Sequence, residues 1–221
     1  MKKLKINTTQ YKNIWFTSDW HLGHNKDFLY RPRFCASRDE HVEWLISRIN
    51  EIAKPDDLII HLGDMCLTST MNEYISWINR IHCRNIWSLT GNHDNRFEEI
   101  SEKCLTVYPI VNLGPYQELT IIEPSEIVGR KAMKKPVTLC HFPMLIWNKS
   151  QHGTFNLCGH SHGSLKESSP FTKTAKRLDC GIENALSWSK LERVMFSWED
   201  IKSVMDKKTI EVLDHHDRST T

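Results

Sequence analysis

The sequence predicts an α/β fold. Short apolar runs at residues 14–17, 58–64 and 86–89 each end in a polar junction, and two segments of helical periodicity separate them. The second half replaces those helices with a succession of strand-like runs. Strand, helix, strand, helix, strand is the order of a layered α/β sheet, where ligands bind beyond the carboxyl ends of the strands.

Each element has a local reason. Ile14 to Thr17 reads as a buried strand that stops at Ser18-Asp19. Residues 25–38, NKDFLYRPRFCASR, have no period and read as an exposed excursion. Val42, Leu45, Ile46, Ile49 and Ile52 keep the 3.6-residue period of a helix, with Ser37 or Asp39 as its cap and Pro55-Asp56-Asp57 as its end. LIIHLGD (58–64) is the second strand and junction, and His61 inside it reads as buried structure. Met71, Tyr74, Ile75, Ile78 and Ile81 mark a second helix, with Ser69 and Thr70 available as caps. Ile86 to Leu89 is the third strand, giving way to a polar loop from Gly91. LTVYPIVNL, QELTIIE, VTLCHFP and FNLCGH read as further strands, with GRKAMKK as a basic turn. Weak strands around Leu178 and Val194 precede a short capped helix, SWEDIKSVM. With no internal repeat and no long linker, residues 1–221 read as a single domain, with 214–221 a frayed tail whose His215 and His216 are not expected to bind metal.

The composition narrows the function classes. A net charge of +2 does not suggest general polyelectrolyte binding, and no run of 18 apolar residues is present. The stretch MKKLKINTTQYKNIWF lacks the apolar core of a signal peptide. Seven scattered cysteines without a CxxC pair read as reduced thiols, so a cytoplasmic location is expected.

Twelve histidines are more informative, because several stand at strand ends. Five junctions line up: Asp19-Trp20-His21; Gly63-Asp64; Gly91-Asn92-His93-Asp94; His141 after Val137 to Cys140; and Gly159-His160-Ser161-His162. One DxH or one HxH arises easily by chance. Five in this order are hard to explain by packing. The set resembles the calcineurin-like metallophosphoesterases, whose pattern runs DxH, GDxx, GNHD or GNHE, a later histidine, then GHxH. The resemblance covers residues 14–163, and SDWHLGHNKDFLYRPRF is also similar to a small bacterial and phage branch of that family.

The resemblance implies a four-layer α/β/β/α sandwich of two mixed sheets flanked by helices, the metallo-dependent phosphatase-like arrangement. It also implies two divalent metal ions, with Asp19, His21 and His162 at the first, Asn92, His141 and His160 at the second, and Asp64 bridging. His93 would sit near the leaving group. Chemistry favours the same residue types. Two ions about 3.5–4 Å apart polarise phosphoryl oxygens and turn a bridging water into hydroxide. A carboxylate is a natural bridge, while neutral imidazoles and an amide oxygen leave the centre cationic and attractive to phosphate. Nitrogen-rich mixed ligation suits Mn²⁺ first, and also Fe, Ni²⁺ or Zn²⁺, better than Mg²⁺.

Other residues are candidates with open alternatives. Imidazole exchanges protons near neutral pH, so His93 is the candidate to assist the leaving group. Asp94 either orients a histidine or caps a helix beginning near Arg96. His24 neighbours the first motif and is a candidate to touch substrate or to stand behind a ligand. Arg31, Arg33 and Arg38 either clamp a second phosphate or are surface residues. Trp20 and Trp147 are base-stacking platforms or core, and Cys140 stands where the family often has glycine. Gly159 and Gly163 are expected to supply backbone freedom, with Ser161 needing only to stay small.

The expected activity is phosphoester hydrolysis by direct attack of metal-bound hydroxide, on a phosphodiester or nucleotide. The phosphate-ester substrate includes a nucleotide or a nucleic-acid end; no membrane and no obligate protein partner are expected. The alternatives are a phosphomonoesterase and a non-catalytic module on the same fold; against the latter, all seven ligands are in place. A metallo-β-lactamase-type hydrolase would need an HxHxDH block, which the sequence lacks.

Overall fold

A computed structural model describes residues 3–67, 70–95, 110–125, 127–165 and 175–210. The stretch 105–109, the region of a helix near Arg96, Ser69 and the tail at 214–221 lie outside the described residues. The first strands are β1 (Leu4–Asn7) and β2 (Ile14–Thr17). Helices α1 (Asp27–Tyr30) and α2 (Arg38–Ile52) lead to β3 (Leu58–His61). Then come α3 (Met71–Asn79), β4 (Asn85–Ser88) and β5 (Ile110–Asn112). The long hairpin β6 (Tyr116–Glu123) and β7 (Met133–Cys140) precedes β8 (Phe155–Cys158) and β9 (Arg177–Asp179). Helix α4 (Ile182–Trp188), β10 (Phe196–Ser197) and α5 (Trp198–Asp206) follow.

Among the described residues these strands form two mixed sheets, ordered β1-β6-β7-β8-β9 and β10-β2-β3-β4-β5. The expected α/β arrangement of two mixed sheets with flanking helices is what the chain adopts. In the second sheet β2, β3, β4 and β5 run parallel, with α2 and α3 making the crossovers between the first three. In the first sheet β7, β8 and β9 run parallel.

The uninterrupted apolar runs have a simple cause: the central strands are buried on both faces. Ile14, Phe16, Leu58 and Ile60 face the other sheet, where they meet Leu119, Val137, Leu139, Phe155 and Leu157. Trp15, Ile59 and Ile86 face the helices, packing with Val42, Leu45, Ile49, Tyr74 and Ile78. Leu45 and Ile49 are fully buried, so truncating either to Ala would cost about 2–5 kcal/mol. Ser37, of the two caps considered, accepts the Glu40 amide at the start of α2, and Thr70 caps α3.

Several elements depart from expectation. The excursion at 25–38 is not exposed throughout: it holds α1 and a 3-10 turn at Arg31–Arg33, and buries Leu29, Arg33 and Cys35. β1 carries only one buried residue, Ile6, so it has little apolar signature. α4 is short and has no side-chain cap. No helix among the described residues is long and apolar enough to cross a membrane.

Candidate metal centre

The parallel strands deliver their carboxyl-terminal loops to one place. A parallel bridge between Ser18 and Gly181 joins the end of β2 to the chain leaving β9. The Asp19 amide donates to the Gly63 carbonyl at 3.1 Å, and the His21 amide to that of Asp64 at 3.0 Å, so the loops after β2 and β3 run side by side. Gly159 donates to the His141 carbonyl at 2.9 Å, which couples the loops after β7 and β8.

Backbone conformation then aims the side chains. Asp19 (φ 58°), His21 (46°), Asp64 (61°), His160 (69°) and His162 (46°) all lie in the left-handed region. Such conformations cost of order 1–3 kcal/mol each and persist where surrounding structure enforces them, commonly at functional sites. Two glycines permit the loops to approach. A Cβ on Gly159 would stand 1.9 Å from Ser18 Oγ and 2.7 Å from Asp19 Oδ2; one on Gly91 would stand 2.2 Å from Asp64 Oδ1. Close approach, rather than the expected backbone freedom, is therefore what Gly159 supplies. Freedom is required at Gly163, whose φ is 73°.

All seven expected donors meet here. His21 Nε2 lies 3.2 Å from His162 Nε2 and 3.9 Å from Asp19 Oδ1. Asp64 Oδ2 lies 3.6 Å from His21 Nε2 and 3.3 Å from His141 Nε2. Asn92 Oδ1 is 3.0 Å from both His141 Nε2 and His160 Nδ1. Among the described residues the His, Cys, Asp and Glu side chains able to share an ion fall into two groups, Asp19–His21–His162 and Asp19–Asp64–His141. Cys140 joins neither group. The model for calcineurin-like phosphoesterases matches residues 12–216. The chain belongs to this family.

Two individual proteins are also similar. The gene 66 protein of Mycobacterium phage L5 is 26% identical over 167 residues, covering 69% of this chain and 79% of that protein. A solved structure of a protein of unknown function from Aquifex aeolicus, 19% identical, superposes with a TM-score of 0.55 over 87% of this chain and 98% of its own. The second likeness concerns the fold alone.

Membership of a metallophosphoesterase family implies divalent metal ions, and the donor atoms fit them. His141 Nδ1 lies 2.9 Å from the Leu62 carbonyl. That carbonyl can only accept, so Nδ1 carries the hydrogen and the Nε2 lone pair points at the oxygens of Asn92 and Asp64. His162 Nδ1 faces the Glu183 carboxylate at 3.5 Å, which turns its Nε2 lone pair toward that of His21. Lone pairs held this close repel unless a proton or a cation sits among them. Electrostatics agree. Burial raises the Asp19 carboxyl to about 7 and lowers His21 to about 2. Burial also opposes charge on Asp64, but the hydrogen bond and charge of His141 and the His93 amide hold its carboxyl below the ordinary range. A dication supplies the positive charge these carboxylates lack.

Of the expected catalytic pair, His93 is exposed, with its ring edge-on to that of His21 at 5.3 Å and its amide on Asp64 Oδ1 at 2.8 Å. Within the described residues Asp94 bonds backbone amides rather than a histidine, and the helix near Arg96 that it was also expected to cap lies outside them. Its buried carboxylate accepts the amides of Asp64 (2.6 Å), Met65 (3.0 Å) and Gly91 (2.8 Å), pinning the loops after β3 and β4 together.

Of the expected substrate contacts, Arg33 needs correction. Arg33 is 0% exposed and its donors are committed to the Asp19 and Trp20 carbonyls, His41 and Glu183, so it cannot clamp a phosphate. Arg31 is an exposed surface residue paired with Asp27 at 3.4 Å. Arg38 bonds the Gly23 carbonyl and Glu73 and lies over the Trp77 ring. His24 is buried, with its ring 5.6 Å from that of His21. Trp20 and Trp147 are buried core residues, bonded to Thr17 and Thr154. His61 is fully buried, and burial lowers it to about 3.

Two residues escaped the sequence reading. Asp179 accepts the Ser161 hydroxyl at 2.6 Å and the amides of Gly163 and Gly181, so Ser161 does more than stay small. Glu183 stands between Arg33 and His162. The available signal was RLDCGIE, where the weak strand around Leu178 ends in Asp-Cys-Gly, a polar junction without the apolar run that marks the other five.

Proposed function

We propose that the protein is a dinuclear-metal phosphoesterase acting on a phosphodiester or nucleotide. The observation that carries this reading is the position of Asp64 Oδ2, between His21 Nε2 at 3.6 Å and His141 Nε2 at 3.3 Å. A carboxylate shared by two imidazole groups is what a bridged pair of ions requires.

In this reading Asp19, His21 and His162 hold one ion, Asn92, His141 and His160 the other, and Asp64 both. The ions, Mn²⁺ being best suited to the donors, supply Lewis acidity at the phosphoryl oxygens and an acidified water. Leu62 and Glu183 keep His141 and His162 in the tautomers that offer Nε2. Asp19, His21, Asp64 and His141 are buried while Asn92, His93 and His160 are exposed, so substrate enters over the latter three. His93 donates a proton to the departing alkoxide from that open side. Phe142, itself exposed, packs on the His160 ring at 4.6 Å, giving the entrance an apolar edge beside its metal ligands. An open entrance suits a diester, and the net charge of +2 suits a short substrate better than a long duplex.

The test is metal analysis followed by assays on bis-p-nitrophenyl phosphate and p-nitrophenyl phosphate. Two equivalents of metal, faster diester cleavage and a large loss in His93→Ala are expected. Uptake below two equivalents, or turnover indifferent to His93→Ala, would overturn the mechanism; faster monoester cleavage would make it a phosphomonoesterase. Two bound ions with no cleavage of either ester would leave a binding module.

A further inference from the structure

The structure buries a guanidinium directly behind the candidate centre. Arg33 Nε and Nη2 each lie 2.8 Å from Glu183 Oε1. Nη1 reaches the Trp20 carbonyl at 2.9 Å and His41 Nε2 at 2.9 Å, and Nη2 the Asp19 carbonyl at 2.7 Å. Burying such a charge is costly unless it is fully paired and hydrogen-bonded. Packing alone gives no reason to place it there, since an apolar side chain would fill the space at less cost.

Its partners have one thing in common. The carbonyls of Asp19 and Trp20 belong to the loop that carries Asp19 and His21, whose left-handed conformations need to be held. Glu183 in turn faces His162 Nδ1 at 3.5 Å. Asp19, His21 and His162 are the three residues assigned to one ion alone. The other ion's ligand His141 leans on a backbone carbonyl instead, that of Leu62.

We propose that Arg33 and Glu183 are positioning residues for one half of the centre: Arg33 holds the Asp19–His21 loop, and Glu183 orients His162. This inference rests on the dinuclear reading above. Charge balance favours the same division of labour. Arg33 alone would repel a nearby dication, and Glu183 cancels it. Both Arg33 Nε and Nη2 meet the same Glu183 oxygen at 2.8 Å, so the two charges are paired directly behind the site.

The test is a stepwise Mn²⁺ titration of the chelator-stripped full chain by calorimetry, with Co²⁺ visible spectra as a second readout. Glu183→Ala should weaken one equivalent by about 10–100-fold, the usual effect of losing a residue that orients a metal ligand. The other equivalent should stay within about threefold. Glu183→Gln should fall between wild type and Ala, because its amide oxygen still accepts from His162, and it carries the test if the Ala variant does not fold. The weakened equivalent should be the one lost in His162→Ala and kept in His160→Ala, and its Co²⁺ band should change intensity. Equal weakening of both equivalents in Glu183→Gln, or no change in either, would overturn the inference. Wild-type protein taking up fewer than two equivalents would instead overturn the dinuclear reading itself.

Discussion

Gly159→Ala places one methyl group where the two sheets' loops touch. Gly159 does not have a left-handed φ, so alanine meets no backbone penalty there and the whole effect is steric. The new carbon would stand 1.9 Å from Ser18 Oγ, 2.5 Å from Ser18 Cβ and 2.7 Å from Asp19 Oδ2, whereas ordinary contact begins at 3.4 Å. The loop after β2 and the His160–His162 turn must separate by about 1.5 Å, and a misplacement near 1 Å costs about 100-fold in rate. Overpacking of this kind costs about 1–3 kcal/mol. Turnover of bis-p-nitrophenyl phosphate, metal content and the melting temperature should all fall together. Gly129→Ala is the control: φ is 83° with nothing within 4 Å of the added carbon. It should lose about 1 kcal/mol of stability through backbone strain alone and keep its activity. A Gly159→Ala protein with wild-type turnover and metal content would refute the reasoning.

Three further outcomes are expected. Asp94→Ala strands two buried amides, those of Asp64 and Met65, and the partly buried one of Gly91, and should lower stability in urea by about 3 kcal/mol, with activity falling because Asp64 and His93 shift; an activity loss without a stability loss would point to direct catalysis instead. Burial and, at His41, the Arg33 charge hold His41 and His61 at about 3 in the folded chain against an ordinary 6.5. The unfolded chain therefore takes up protons first as pH falls. That stability is complete above about pH 6.5 and is lost progressively toward about pH 3; melting temperatures of chelated protein should decline through that window, and a flat profile would contradict the burial. Mn²⁺ at 100 times its dissociation constant should stabilise the fold by about 2.7 kcal/mol per site, reversibly with chelator, as read by thermal melts.

The candidate centre was legible in the sequence because polar residues at strand ends carry two signals at once. Ile14, Trp15 and Phe16 are buried on alternate faces, so the strand shows as an unbroken apolar run and the polar residue ending it stands out. Asp19, Asp64 and Asn92 were visible for that reason. Arg33 was misread because a sequence displays charge but not burial, and its partners Trp20, His41 and Glu183 are spread across the chain. Glu183 was missed because its helix is only seven residues long and starts without a side-chain cap. Asp94 was half legible: a second carboxylate beside the centre was plain, but amides 29 and 30 residues away give no local pattern.

The five left-handed donors have a consequence for how this chain can change over time. At Asp19, His21, Asp64, His160 and His162 a glycine would sit more comfortably than the residue present. At His21, His160 and His162 such a replacement would relax about 1 kcal/mol of strain while discarding a proposed ligand; at Asp19 and Asp64 it would also strand the amides of His160 and His93, so the histidines are where stability of the metal-free chain and the proposed metal site pull apart. A screen for thermal stability alone would erode the centre before it touched the core. Only selection for turnover, or a metal always at hand to offset the strain, keeps those side chains in place.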